Sequence, residues 1–211
     1  MMRAVIFDLD GVLVSTDHFH YKAWKQIADR LNIPFDEGVN NRLRGVSRME
    51  SLDIILSGAS DKQFTDEQKQ SLAEEKNTIY RKFLEQLSPA DILPGVTETL
   101  EGLKVKGVAA AVGSSSKNAR FILEQVGLLD WFAVVVDGNQ ISRSKPDPEV
   151  FLLAASQLEC DASACLVVED AVAGVQAGVH AGMEVAAVGD AVNSKEATFT
   201  LQRIDQLLKL I

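Results

Sequence analysis

Two aspartates, Asp8 and Asp10, stand i, i+2 where an apolar run beginning at Arg3 gives out, and Gly11 follows them. In an extended segment, residues two apart point the same way, so both carboxylates can face one crevice. Held that close they repel, unless a cation or a shared proton lies between them. The simplest chemistry is a Mg²⁺ site in which one carboxylate is also a nucleophile. A polar turn closing a strand uses the same residue types. Three later stretches, taken in their order, decide between the two.

The first is Ser114-Ser115-Ser116-Lys117-Asn118, which follows the apolar Val108–Gly113 and opens a helix at Ala119. A hydroxyl run at a strand-to-helix junction supplies N-caps, and free N–H groups there make a phosphate cradle. Such serines are often only caps. Second comes Ser144-Lys145-Pro146-Asp147-Pro148, where Pro146 fixes the turn and so the direction of Lys145. An ammonium among carboxylates lowers their repulsion and stabilises charge developing on a phosphate. A lone Lys-Pro would be a solvated turn. Third, the apolar Leu166–Val168 ends in Glu169-Asp170. Adjacent strand residues face opposite ways, so Asp170 is expected on the metal with Glu169 contributing. Asp8, the Asp10 backbone carbonyl and Asp170 would suit the oxygen-only shell of Mg²⁺.

The elements that must hold these residues are legible in outline. Residues 3–10 read as a strand, and further strand-like runs occur at 108–112, 132–136, 166–168 and 185–188, with amphipathic helices between them. That alternation predicts a parallel sheet with helices on both faces. Between about Asp17 and Leu87 the spacing is helical throughout and predicts roughly four helices. The expected fold is therefore α/β, a doubly wound, Rossmann-like parallel-sheet core with a helical cap inserted after the first strand. Residues 1–15 and 93–211 form the core and residues 16–92 the cap. A closing helix is expected around Leu201–Leu208.

Composition narrows the function classes. The 211 residues carry a formal net charge of −9, which argues against nucleic acid or an anionic membrane as partner. No apolar stretch approaches the ~20 residues of a membrane span, and the opening residues lack a secretory pattern. Cys160 and Cys165 have neither redox nor zinc spacing and are read as packing residues or idle thiols in a reducing cytoplasm. A cytoplasmic monomer is expected.

An apolar strand running into Asp-Leu-Asp-Gly-Val, a strand ending in Ser, a Lys-Pro, then a strand ending in Glu-Asp resembles the haloacid dehalogenase superfamily over essentially the whole chain. The resemblance implies Asp8 as nucleophile, forming an aspartyl-phosphate, and Asp10 as general acid and base. It also implies Ser114 on the transferring phosphoryl group, Lys145 as the charge partner, and Ser115, Ser116, Lys117 and Asn118 close to substrate. The metal would be held by Asp8, Asp10, Glu169 and Asp170.

The cap narrows the resemblance. Asn41–Ser51 places Arg42, Arg44 and Arg48 around Gly45, and an arginine fork can take a second phosphate. The same segment also reads as a helix–helix loop capped by Ser47 and Glu50. With Thr16, His20, Ala23-Trp24, Lys76-Asn77, Ser88–Asp91 and Pro94-Gly95, it is similar to the β-phosphoglucomutase family. That family interconverts β-D-glucose 1-phosphate and glucose 6-phosphate through β-glucose 1,6-bisphosphate. The likeness implies Arg48 on the phosphate not being transferred, with Gly45, Val46, Ser51 and Lys76 completing the sugar and phosphate contacts. Trp24 would line the cap, and Thr16 and His20 would belong to the hinge that brings Asp10 into position. A structural role for His20, near-exposed on its helix, fits its surroundings equally well. Cap closure would exclude water, returning the phosphoryl group to sugar. Two positions depart from the family pattern: Ser15 stands where relatives often carry Asp, and Arg44 where mutases often have Lys.

These readings give an isomerase acting on a small sugar phosphate, with Mg²⁺ and a bisphosphate intermediate. The alternatives are a sugar-phosphate phosphatase with the same core residues, and a silent phosphate-binding protein. The presence of both Asp8 and Asp10 speaks against the last.

Overall fold

Ala4–Phe7, four fully buried residues, form strand β1 at the middle of a six-stranded, all-parallel sheet in this computed structural model. The structure describes residues 2–43, 46–59 and 63–211. The chain separates into two units, residues up to Ser15 together with Leu87–Ile211, and Thr16–Gln86. Residues 87–92, read from sequence as part of the cap, belong with the α/β unit. There Val14 bridges Ile92, and the Leu93 N–H donates to the Leu13 carbonyl at 3.0 Å.

The other strands are β2 (Ala109–Gly113), β3 (Val134–Val136), β4 (Cys165–Glu169), β5 (Glu184–Ala187) and β6 (Phe199–Thr200), in the order β3-β2-β1-β4-β5-β6. The helices of this unit are α5 (Val96–Lys106), α6 (Ala119–Gln125), α7 (Glu149–Gln157) and α8 (Val172–His180). Ala4, Ile6, Ala111, Val167 and Val185 pack with Val150, Phe151 and Ala154 of α7 and Val175 of α8. The alternate residues Val5, Phe7, Val112, Leu166 and Val168 are buried as well. Both faces are thus covered, which is why these strands read as unbroken apolar runs. Strands β1 to β3 step outward on one side, and the chain then returns to lay β4 on the other side of β1. The crevice at the strand ends beside that reversal is where ligand sites form in such sheets.

Several boundaries differ from the sequence expectation. Strand β1 stops at Phe7, not at residue 10. The Leu9 carbonyl accepts from the Leu13 and Val14 N–H groups, and Gly11 takes φ +79°, so residues 9–14 form a tight turn. Asp10 lies in that turn, and the two-residue alternation of a strand does not govern where it points. The expected C-terminal helix is a 3₁₀ segment, Ile204–Lys209, and the two-residue β6 has no sequence signal. Cys165 is buried at the start of β4, and burial pushes its thiol up to about 11, as suits a packing residue.

The Thr16–Gln86 unit contains α1 (Asp17–Leu31), α2 (Glu37–Asn41), α3 (Arg48–Leu56) and α4 (Asp66–Leu84). Its own core gathers Trp24, Ile27 and Ala28 of α1, Leu52 and Ile55 of α3 and Leu72 of α4. The capping box expected at Ser47 is present: its hydroxyl accepts from the Glu50 N–H at 3.2 Å, and the Glu50 carboxylate accepts from the Ser47 N–H at 2.8 Å. Thr65 and Gln68 cap α4 in the same way. Gly45, expected near substrate, and the Arg44 departure lie outside the described residues.

Candidate active site

Asp8 follows β1 directly, and its N–H still donates to the Val168 carbonyl of β4 at 2.9 Å. The next strand end on that side supplies Glu169 and, just beyond it, Asp170. Lys145 reaches the same place from the loop before α7. Its Nζ lies 2.5 Å from Asp8 Oδ1, 2.5 Å from Glu169 Oε1, and 4.7 Å from the centre of the Phe151 ring. That loop is pinned to α7, because Glu149 accepts from the Ser142 and Arg143 N–H groups and from the Ser142 hydroxyl. Lys145 and Glu169 are 2% and 1% exposed, so the pair is fully desolvated.

The electrostatics follow from that burial. Burial opposes the Lys145 charge, but Asp8 and Glu169 outweigh it and hold the ammonium above its ordinary range. Burial pushes Glu169 upward against the pull of Lys145, and the Asp8 charge adds to the rise. Asp170 is pushed up to about 9, first by burial and then by the charges of Glu169, Asp8 and Asp10. One lysine therefore does not neutralise this set. Glu169 and Asp170 thus resist ionising together without a further cation, and oxygens of Asp8, Glu169 and Asp170 lie within 4.8 Å of one another, an all-oxygen set suited to a hard divalent cation. The Asp10 carboxylate is not one of the three, though its charge is felt at Asp170.

Beside this group, Ser114 continues from β2, the neighbour of β1. Its N–H donates to the Val136 carbonyl at 3.0 Å, and its hydroxyl accepts from the Ser116 N–H at 3.1 Å. The Ser116 hydroxyl accepts from the Asn118 N–H at 3.2 Å. The serines thus fold the loop upon itself, and the side chain of Asn118, the residue preceding α6, makes no cap. The next loop braces it: the Gly138 N–H donates to the Ser116 carbonyl, and a Cβ on Gly138 would lie 2.3 Å from the Ser115 carbonyl. Lys117 is exposed and Asn118 buried. Ser115 Oγ is buried with no hydrogen-bond partner among the described residues. A buried hydroxyl left unpaired costs about 1–3 kcal/mol, so Ser115→Ala should leave the unfolding midpoint unchanged or raise it. If the hydroxyl serves substrate, the same variant should raise KM by about tenfold. An unchanged KM would remove Ser115 from the site.

In the helical unit, the Thr16 hydroxyl and the Tyr80 hydroxyl are 2.8 Å apart. Lys76 Nζ is 2.9 Å from His20 Nδ1, and it lies 4.9 Å and 4.4 Å from the Trp24 and Tyr80 ring centres. His20 is half-buried rather than near-exposed, with its ring 4.1 Å from that of Tyr80. Burial, then the charges of Lys76 and Arg48, hold His20 well below the usual histidine range, so it stays neutral. Arg48 donates to Asn77 Oδ1 at 2.9 Å. Thr16, His20, Trp24 and Lys76 are thus one cluster, and Arg48 is held to the residue beside Lys76. Ser51 is buried on α3 and Val46 half-buried before it. Sequence reasoning missed Tyr80 and Phe151 as site residues; the one available hint was the four-residue spacing from Lys76 to Tyr80.

A reversal in a parallel sheet, an aspartate after the first strand, a buried lysine on it, and an acidic pair from the adjoining strand define a phosphoryl-transfer class of α/β protein. Residues 2–182 match the haloacid dehalogenase-like hydrolase family, and the chain belongs to it. It is 42% identical to a β-phosphoglucomutase of Bacillus subtilis over 189 residues, 89% of this chain and 84% of that one. It is 34% identical to a phosphorylated carbohydrates phosphatase of Thermotoga maritima, over 87% of this chain and 83% of the relative. The crystal structure of a β-phosphoglucomutase from Clostridium difficile superposes with a TM-score of 0.93 at 38% identity, covering 98% of this chain and 93% of that one. No helix among the described residues is long and apolar enough to cross a membrane.

Proposed function

We propose that the protein is a mutase that interconverts β-D-glucose 1-phosphate and D-glucose 6-phosphate, through an aspartyl-phosphate on Asp8 and β-glucose 1,6-bisphosphate. The observation that carries this reading is that cationic groups are built twice. Lys145 stands beside Asp8 in the α/β unit, and Arg48 with Lys76 in the helical unit. A bisphosphate has two anionic ends to hold, whereas hydrolysis of a monoester needs one such place. Likeness to the Bacillus subtilis β-phosphoglucomutase over 89% of the chain supports the same reading.

Asp8, Glu169 and Asp170, with the Asp10 backbone carbonyl, would hold Mg²⁺, which when bound draws charge from the phosphoryl oxygens. Starting from phosphorylated Asp8, Asp10 takes the proton of the sugar 6-hydroxyl as that oxygen attacks phosphorus, and the bond to Asp8 breaks. The bisphosphate then presents its C1 phosphate. Asp8 attacks it, and Asp10 returns the proton to the departing O1, leaving glucose 6-phosphate and a phosphorylated enzyme. Lys145 pairs with charge on the transferring group, and Ser114, Ser115 and Ser116 meet its oxygens with Lys117 and Asn118 near the sugar. Arg48 takes the phosphate that is not moving. Thr16, His20, Trp24, Val46, Ser51 and Lys76 serve the sugar and its recognition.

Arg48→Ala should therefore lower mutase turnover by about 10²-fold while leaving hydrolysis of a small phosphate ester nearly unchanged, since the variant has no charge-assisted, bidentate fork for the second phosphate. Equal losses in both assays would overturn that placement. The main test is incubation with Mg²⁺, β-glucose 1-phosphate and a trace of β-glucose 1,6-bisphosphate, following glucose 6-phosphate and free phosphate together. Rapid glucose 6-phosphate with little free phosphate is expected. Stoichiometric free phosphate would instead make this a sugar-phosphate phosphatase, the activity named for the Thermotoga maritima relative.

A further inference from the structure

Gly174 sits in the first turn of α8, and an added Cβ there would lie 1.8 Å from Glu169 Oε1, 1.9 Å from its Cδ and 2.5 Å from Oε2. Real Cβ atoms never approach that closely. The carboxylate has nowhere simple to go, because both its oxygens are engaged. Oε1 accepts from Lys145 at 2.5 Å and Oε2 from the Ala171 N–H at 3.0 Å. Gly174 has no left-handed backbone to explain it, and alanine is the better helix former at such a position. The need for glycine is therefore steric, and the group it spares is the acid that holds Lys145 against Asp8.

We propose that Gly174 is a positioning residue for phosphoryl transfer: the space left by its missing side chain seats Glu169 so that Glu169 can aim Lys145 at Asp8. The inference rests on the proposed chemistry of Asp8, but its test does not depend on which phosphate ester is the substrate. One helical turn on, Gly178 gives the contrast. A Cβ there would meet Val185 Cγ2 at 2.7 Å and Val167 Cβ at 3.3 Å, apolar packing that does not touch the acids.

The experiment is a cycle of Gly174→Ala, Glu169→Asp and the double variant, read by unfolding midpoint without metal and by kcat and KM with Mg²⁺. Turnover is followed on β-glucose 1-phosphate, and on p-nitrophenyl phosphate in case the sugar phosphate is not turned over. Gly174→Ala should lower kcat by roughly a hundredfold with KM little changed, as expected when a reacting group is displaced while substrate is still held. The shorter acid makes room, so the double variant should regain about tenfold in kcat over Gly174→Ala and recover part of the metal-free midpoint, although Glu169→Asp alone is harmful. Gly178→Ala should lower the midpoint and leave kcat unchanged. A Gly174→Ala variant of normal kcat, a double variant no better than Gly174→Ala, or failure of both to fold would overturn the proposal. If the wild type yields no glucose 6-phosphate but the cycle behaves as stated, the substrate reading fails and this one stands.

Discussion

Asp8→Asn should abolish turnover, by on the order of 10⁵-fold or more, while the protein folds and melts much as before. An amide of the same shape fills the same space, so the burial around Asp8 is undisturbed. What disappears is the anionic oxygen that attacks phosphorus in the proposed mechanism. Lys145 keeps its second partner, Glu169, at 2.5 Å, so no buried cation is stranded. One of the charges that raise Asp170 is removed while Lys145 loses one ion-pair partner, opposing effects that should leave the metal-free midpoint little changed. Acid-quench trapping of phosphorylated protein gives the check: wild type should carry the label and the variant none. Persisting label or substantial turnover would move the nucleophile elsewhere.

Lys145→Met is the second large effect, and it should appear in stability as well as rate. Removing one member of a buried ion pair leaves its partner charged and unpaired, at a typical cost of about 3–5 kcal/mol. Here Glu169, 1% exposed, is the stranded partner, with Asp8 beside it. Each kcal/mol corresponds to about 2–4 °C for a chain of this size, so a metal-free fall of roughly 6–20 °C is expected. Uptake of a proton by the already raised Glu169 would bring the loss toward the lower end. Mg²⁺ should narrow the deficit, because Asp8, Glu169 and Asp170 are the same carboxylates that would hold it. Turnover should remain about 10²–10³-fold low even with Mg²⁺, the usual loss of one preorganised charge partner. An unchanged metal-free midpoint, measured by scanning calorimetry, would mean that the Lys145–Glu169 pairing carries no net stability.

How far the sequence could be read depended on whether a residue's role is local. Asp8 and Asp170 follow buried strands, Glu169 ends one, and Lys145 precedes a proline, so each is marked by its own neighbours. The parallel sheet and the helical insert were legible for the same reason, since alternation and periodicity are properties of short windows. The end of β1 was not, because the apolar character of Leu9 and Val12 extends past the point where Gly11 turns the chain. Strand β6 is two residues long and exists only through its pairing with β5. Phe151 reads as an ordinary core residue of α7, and nothing near it in sequence announces that it faces an ammonium. Gly174 and Tyr80 are of the same kind: their significance lies in Glu169 and in Thr16, neighbours met only after folding.

The bond between Thr16 and Tyr80, with the stacking of Phe19 on Phe83 at 5.8 Å, ties the opening of the helical insert to the last turns of its final helix. The segment therefore enters and leaves through one joined seam rather than at distant points. In evolutionary terms such a segment has the connectivity of a cassette, since replacing it would not re-thread the sheet. A lineage could thus rewrite the helical insert while Asp8, Lys145, Glu169 and Asp170 stay as they are.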